Sequence, residues 1–378
     1  MSWAVVGMGA AASVGSSVDE LFAALCAGRS GVAGLRGFDR ARFNTQHAYE
    51  IDDRPAPGVD EPARASRLLL RAIEAALADA GLPDDLRDVP VLVGTGLREL
   101  RTVELWWRDG TPLDAGGLHF GTALRERFGA VDTHTVSNAC SASLYTLALG
   151  TDLLAIGEAD TVVVAGVDVI TESMFGLVER VHPVPPERVR PFDRNRRGVL
   201  MGDGAAAVVL RRAADVTGPV RGVVRSVGTN CDAHHVTAPD PAGIGAAIRQ
   251  AWERAGVDAG DIDLVMLHGT GTLLNDEAEA AAVAEVFGDQ VKRPVMSGIK
   301  SMIGHTSGAS GLIGLIVALR SLATGAVPPT IGLDDPVDEA MNFRFATSGE
   351  RYERMSLAQV NAFGFGGINA VAIVEGVR

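Results

Sequence analysis

The stretch Leu264-Val265-Met266-Leu267-His268-Gly269-Thr270-Gly271-Thr272 decides how this chain is read. Four apolar residues in a row suit a strand buried on both faces. The glycines that follow permit a tight turn and close backbone approach. The same pattern occurs earlier as Val91-Leu92-Val93-Gly94-Thr95-Gly96. Upstream of each copy lies an amphipathic segment, 66–80 and 244–255, closed by Gly81 and Gly256 as helix stop signals. The interval from Gly81 to Gly256 equals the interval from Gly94 to Gly269. A second pair follows. Asn138-Ala139-Cys140-Ser141-Ala142-Ser143 opens an apolar helix running to about Gly157, and Ser307-Gly308-Ala309-Ser310-Gly311 opens another running to Gly325. Gly325 repeats Gly157 at a slightly shorter interval than the first pair. Chance likeness between Ala-rich helices would not preserve the order helix, strand, Gly-Thr-Gly at constant spacing. The pattern predicts an α/β protein of two homologous halves, residues 1–215 and 216–378. Equivalent loops of two such halves meet near a pseudo-twofold axis, so residues far apart in sequence can share one site.

With 378 residues, 47% of them hydrophobic, the chain can bury a large core. No apolar run reaches the ~20 residues of a membrane span. The start, Met1-Ser2-Trp3-Ala4-Val5-Val6, lacks the basic region and cleavage site of a signal peptide, so a cytoplasmic protein without membrane contact is expected. A net charge of −13 argues against nucleic acid as a partner. An acidic protein partner would also be repelled unless a local basic patch received it. Arg64, Arg67 and Arg71 share one face of a predicted helix, and Arg190, Arg194, Arg196 and Arg197 crowd one loop. Taken alone, either reads equally as a solvated charged face. Three cysteines without a C-x-x-C pair suggest neither a disulfide framework nor a metal. Gly7-Met8-Gly9 follows a strand but lacks the third glycine of a dinucleotide loop, and no organic cofactor is expected.

Four segments carry chemistry. Cys140 precedes a long apolar helix, where the macrodipole favours thiolate over thiol, and small neighbours leave room for a thioester. Burial as a small hydrophobe is the competing account. His268 ends a buried strand, at the edge where α/β sites lie, although on its own it reads first as a satisfied core histidine. His305 and Lys300 share the glycine-flanked segment Gly298-Ile299-Lys300-Ser301-Met302-Ile303-Gly304-His305, with Glu279 available to keep the lysine charged. Gly364-Phe365-Gly366-Gly367 suits a turn whose backbone N–H groups point at an oxyanion, and in isolation reads first as a plain glycine-rich strand turn.

Together these segments resemble the β-ketoacyl-acyl-carrier-protein synthase family, in its elongating Cys-His-His branch. The matching stretches are Asn138-Ala139-Cys140-Ser141, Arg190-Pro191-Phe192-Asp193, Asp232 to Pro241, His268 to Thr272 with Asn275, Asp276 and Glu279, Lys300 to His305, and Asn361 to Asn369. They span nearly the whole chain in the family's order. The resemblance implies a thiolase fold, two duplicated α/β halves in five α-β-α-β-α layers, and decarboxylative Claisen condensation of an acyl thioester with a malonyl-carrier protein. It implies that Cys140 is the nucleophile and that His268 and His305 are neutral donors to the malonyl carbonyl. Lys300 and Glu279 match a charged pair orienting them, and the amides of Cys140 and Phe365 match the oxyanion hole. It further implies that Thr270 and Thr272 contact the pantetheine arm, that Leu97, Arg98, Val199, Phe363 and Gly366 line the substrate path, with Phe365 as its gate, and that Arg64, Arg67 and Arg71 receive an acidic acyl carrier protein. The family is usually homodimeric. A heterodimer with a ketosynthase-like partner is the alternative assembly.

The chain departs from the family pattern in three places. Arg98-Glu99 stand where the family has Gly-Gly, Val199 follows Arg196-Arg197-Gly198 where an aromatic is usual, and the segments near 100–115, with Trp106-Trp107, and 170–190 are short. These changes point to an acyl pocket specialised for a natural-product pathway. Two other functions fit less of the sequence. A non-condensing scaffold subunit would lack the nucleophile, and an acyltransferase forming an ester or amide would not need both histidines. A degradative thiolase needs a second cysteine near the C-terminus, and none follows Cys231.

Overall fold

A computed structural model describes residues 2–56, 58–180 and 184–377. Residues 181–183, within the short segment 170–190, lie outside the described residues. In the first half the strands are β1 (Trp3–Ala12), β2 (Val91–Gly94), β3 (Thr133–Val136), β4 (Thr161–Asp168) and β5 (Gly204–Arg212). In the second they are β6 (Gly222–Cys231), β7 (Leu264–Met266), β8 (Val295–Ser297), the short β9 (Arg344–Phe345), β10 (Leu357–Gly364) and β11 (Ile368–Glu375). The first half orders its strands β3-β2-β4-β5-β1 and the second β8-β7-β10-β11-β6, with β9 beyond β8. Strand for strand these orders are the same. Parallel and antiparallel pairings also repeat: β2 lies parallel to β3 and β4, and β7 parallel to β8 and β10, while the other neighbours within these orders run antiparallel. The halves join where β1 meets β6, with Trp3 opposite Val224 and Val5 opposite Gly222. The duplication read from sequence spacing is therefore a duplication of topology.

Helix α1 (Arg64–Ala80) covers the outer face of the first half. α2 (Ala142–Ile156) and α5 (Ser310–Thr324) share the cluster between the halves. α3 (Pro241–Ala255) and α4 (Leu273–Phe287) cover the outer face of the second half. Three apolar clusters thus fill the four interfaces of five layers, the middle one reaching both sheets. α1 begins two residues earlier than the periodicity predicts. α3 begins three residues earlier, because Asp240 caps it by accepting the N–H groups of Ala242 and Gly243, and Pro241 takes the first helical position.

Gly7 and Gly9 face α1 so closely that a Cβ at either would lie 2.1 Å from a helix carbonyl, of Ala76 or Ala72. The Gly7-Met8-Gly9 run is thus a packing seam, and Gly228 plays the same part against α3, where a Cβ would lie 2.4 Å from the Ala247 carbonyl. The stretches Ala139–Ile156 and Ser307–Thr324 are apolar enough to cross a membrane by length and composition, yet they form the middle layer. The first is 50% buried and the second 72%. On α2 both Leu149 and Ile156 are exposed, and β3 is the open edge strand of its half.

Candidate active site

Cys140 sits in a single 3₁₀ turn, Ala139–Ser141, that leads into α2. Ala139 holds a left-handed φ of 47°, a strained turn that aims the next residue into the interior. The corresponding turn of the second half, Ser307–Ala309, has Ser307 at φ 46°. These two turns and the ends of β7 and β10 converge on one point. His305 Nε2 lies 2.9 Å from Cys140 Sγ. The rings of His268 and His305 stand 5.6 Å apart and nearly perpendicular, and Phe363 packs 5.7 Å from His268.

Electrostatics revises one expectation. The macrodipole favours a thiolate, but burial pushes the Cys140 thiol up to about 11. Lys300 and the amides of Phe365 and Cys140 oppose that shift without reversing it, so the resting group is a thiol. Those same two amides are the pair expected to form an oxyanion hole. Phe365 itself is half exposed in the Gly364–Gly367 turn, and the Gly366 amide ties that turn to the Val236 carbonyl.

Both imidazoles are neutral. Burial and then Lys300 hold His305 down to about 3 and His268 well below its usual range. Their tautomers follow from their partners. The Lys300 ammonium, which only donates, lies 3.4 Å from His268 Nδ1 and also binds the His268 carbonyl. His268 therefore carries its proton on Nε2. Ser310 Oγ gives its proton to the Ser307 carbonyl at 2.8 Å, so at 3.3 Å from His305 Nδ1 it accepts. His305 Nε2 then meets the thiol as a proton acceptor.

Lys300 and Glu279 were expected to pair. They grip His268 from two sides instead. The Glu279 carboxylate accepts the N–H groups of His268 and Gly269 at 2.7 and 2.8 Å, and the Asn361 amide at 3.0 Å. Burial raises Glu279 to about 7 and lowers Lys300 to about 8, with the Glu279 charge partly restoring the lysine.

The Thr270 and Thr272 hydroxyls lie 2.9 Å apart, and Thr272 also caps α4. Val199 and Phe363 are buried. Leu97 is partly buried, and Arg98 is exposed with a φ of 55°. Glu99 is not exposed beside Arg98. It is buried beneath α1, where it accepts the Ser66 N–H at 2.6 Å and the Thr102 hydroxyl at 2.8 Å.

The expected carrier-docking face is not a free basic face. Arg64 is 2% exposed, clamped by Asp53 and Asp203 at 2.7 and 2.8 Å. Arg71 is held by the same Asp53, and Arg67 pairs with Glu61. Sequence periodicity placed the three on one helix face but could not reveal the acids brought against them from residues 53, 61 and 203. Arg64→Met strands the Asp203 charge in the interior and should destabilise the fold by about 3–5 kcal/mol, read as a lowered urea midpoint. In the second patch Arg190, Arg194 and Arg196 bind Asp334, Asp338 and Glu277.

Two site residues escaped the sequence reading. Asp168 binds the Gly308 amide from a position no motif marks, and Ser310, quoted only as part of a helix start, meets His305 Nδ1. A lone acid closing the apolar run Val162-Val163-Val164-Ala165-Gly166-Val167 was the available signal for the first.

Comparison with known proteins agrees with this geometry. Residues 3–216 match the N-terminal domain of beta-ketoacyl synthase and residues 221–334 its C-terminal domain. A 3-oxoacyl-[acyl-carrier-protein] synthase 2 of Vibrio cholerae is 30% identical over 98% of both chains. Its namesake from Coxiella burnetii is 28% identical over 99% of this chain and 98% of that one. Among solved structures, the ishigamide ketosynthase/chain length factor superposes with a TM-score of 0.90 at 30% identity, covering 100% of this chain and 99% of that one. A beta-ketoacyl synthase from Burkholderia phymatum STM815 gives 0.85 at 26%, covering 100% of both. With the duplicated topology and a thiol set beside two neutral histidines, the chain belongs to the β-ketoacyl synthase family.

Proposed function

We propose that this condensing enzyme of fatty acid or polyketide synthesis works through Cys140, His268 and His305, with acyl chains delivered by an acyl carrier protein. The observation that carries this reading is the 2.9 Å approach of His305 Nε2 to Cys140 Sγ. As the thiol attacks the acyl thioester, its proton passes to His305 and then to the departing pantetheine sulfur. Malonyl thioester enters next. Its carboxylate leaves as CO₂, and the electron pair of that bond forms an enolate whose oxygen is held by His268 Nε2–H and by His305, which, once acylation has removed the thiol proton, carries its own proton on Nε2 as the Ser310 hydroxyl turns to donate to Nδ1. The enolate carbon attacks the Cys140 thioester. The resulting oxyanion lies between the Cys140 and Phe365 amides and collapses, expelling the Cys140 thiolate, which takes up a proton from solvent to restore the thiol, and leaving a β-ketoacyl thioester. Loss of CO₂ drives the sequence, so the scheme requires neither an organic cofactor nor a metal.

We place the protein in the cytoplasm, in a specialised pathway, since Arg98 and Val199 alter the segments expected to line the acyl path. The open edge of β3 and the exposed Leu149 and Ile156 suit a second ketosynthase-fold chain, either a copy or a related partner. The test is intact-mass analysis after incubation with acyl-pantetheine thioesters of graded length, followed by malonyl-pantetheine. Acyl loading followed by a β-ketoacyl product is the expected result. Loading without condensation would turn the assignment to an acyltransferase, and no loading would leave a scaffold subunit.

A further inference from the structure

Asp168 closes β4 with a carboxylate that is 1% exposed and accepts four hydrogen bonds. Oδ1 takes the Thr95 hydroxyl at 2.7 Å and the Leu97 N–H at 2.8 Å; Oδ2 takes the N–H groups of Gly96 and Gly308, each at 2.7 Å. Three donors belong to the loop expected to line the acyl pocket, and the fourth lies three residues past His305. Thr95, with its proton committed to Asp168, accepts the Arg98 N–H at 2.8 Å and so helps hold the left-handed Arg98.

The duplication gives this arrangement its meaning. Gly308 follows Cys140 at the same interval by which Gly325 follows Gly157, and it occupies the same place in the turn before its helix. Asp168 ends β4 as Gly364 ends β10, the corresponding strand of the other half. In one half the Cys140 amide and the turn after Gly364 face the reacting sulfur. In the other the Gly308 amide faces the Asp168 carboxylate. The second copy of the anion hole is thus filled by the protein's own anion, and a Cβ at residue 308 would crowd that carboxylate at 2.9 Å.

We propose that Asp168 is a positioning residue for condensation: from the counterpart of the oxyanion hole it clamps loop 95–98 to the turn after His305 and so fixes that imidazole against the thiol. The path is continuous. Gly308 is bound to Asp168, the neighbouring Ser307 carbonyl accepts Ser310 Oγ–H, and Ser310 Oγ accepts His305 Nδ1–H. Four donors favour an ionised acceptor and oppose the burial that raises this carboxyl to about 6, so it is ionised above that pH. An amide at this position would turn an NH₂ toward an N–H, losing a bond and the charge. The same charge opposes ionisation of Cys140, so its removal acts on the thiol in the opposite direction.

This inference rests on the condensing reading, and one experiment separates the two. Wild type, Asp168→Asn and Asp168→Glu are compared for decarboxylation of malonyl-pantetheine, for Cys140 alkylation by iodoacetamide, and for native circular dichroism. Asp168→Asn is expected to decarboxylate at least about tenfold more slowly while Cys140 alkylates as fast as in wild type or faster, with partial rescue in Asp168→Glu. A folded Asp168→Asn with decarboxylation within about threefold of wild type, or with both rates lowered in parallel, overturns the role. Wild type inactive in decarboxylation removes the condensing reading itself. Should Asp168→Asn not fold, Thr95→Val, which removes one of the four donors, decides by the same divergence of the two rates.

Discussion

Cys140→Ala abolishes acyl loading and lowers condensation by at least about 10³-fold, yet leaves decarboxylation of malonyl-pantetheine within about tenfold of wild type. The two reactions separate because they use different groups. Loading needs a sulfur, and Cys140 supplies the one that meets His305 Nε2. Decarboxylation needs only N–H donors at the enolate oxygen, and His268 is held by Lys300 and Glu279 without help from Cys140. Intact mass after acyl-pantetheine treatment reads the first effect, and acetyl-pantetheine formation reads the second. Equal loss of both reactions would mean that the sulfur also takes part in decarboxylation.

His268→Ala reverses the pattern. Decarboxylation falls by about 10²–10³-fold, while the resting Cys140–His305 contact and acyl loading survive. His305→Ala impairs both steps: loading, because this imidazole accepts the thiol proton, and decarboxylation, because the enolate loses its second donor. The pH profile follows from the same network. His305 at about 3 and His268 well below its usual range are already neutral across the working range, so protonation of the imidazoles contributes no acid-side loss there. Lys300 is protonated below about 8 and loses its proton above it. With the proton goes the donor that keeps His268 in its Nε2–H form. Decarboxylation should therefore decline as pH rises through about 8, and Lys300→Met should be slow at every pH with that alkaline limb absent. An alkaline limb retained in Lys300→Met would assign it to another group. Because Lys300 and Glu279 are charges buried in one network, observed limbs belong to the coupled pair.

Constant spacing of Gly81 with Gly256 and of Gly94 with Gly269 was enough to establish the duplication, because helix stops and strand-end turns depend on local backbone chemistry. The grouping of Cys140, His268 and His305 was legible through the resemblance of six ordered motifs to one family, whereas the strand-end and helix-start patterns alone also fitted buried side chains. Charge was less legible. Arg64 looked like part of a docking face, and Glu99 like a pocket residue. Both are buried anchors, because their partners Asp203 and Ser66 come from elsewhere in the chain. The thiol's ionisation likewise depended on a comparison that sequence does not contain, the helix-end field against the desolvation of a sulfur enclosed by both halves.

The amino-acid sequence by itself determined the repeat and the order of elements, since periodicity, caps and glycine turns are local, and its resemblance to one family singled out Cys140, His268 and His305 as the expected reacting side chains. Only the tertiary structure decided which histidine meets the sulfur, which nitrogens carry protons, and that Asp168 fills the mirror of the anion hole. Those depend on distances and burial between segments remote in the chain, such as Cys140 and His305 or Asp168 and Gly308, which no local pattern encodes.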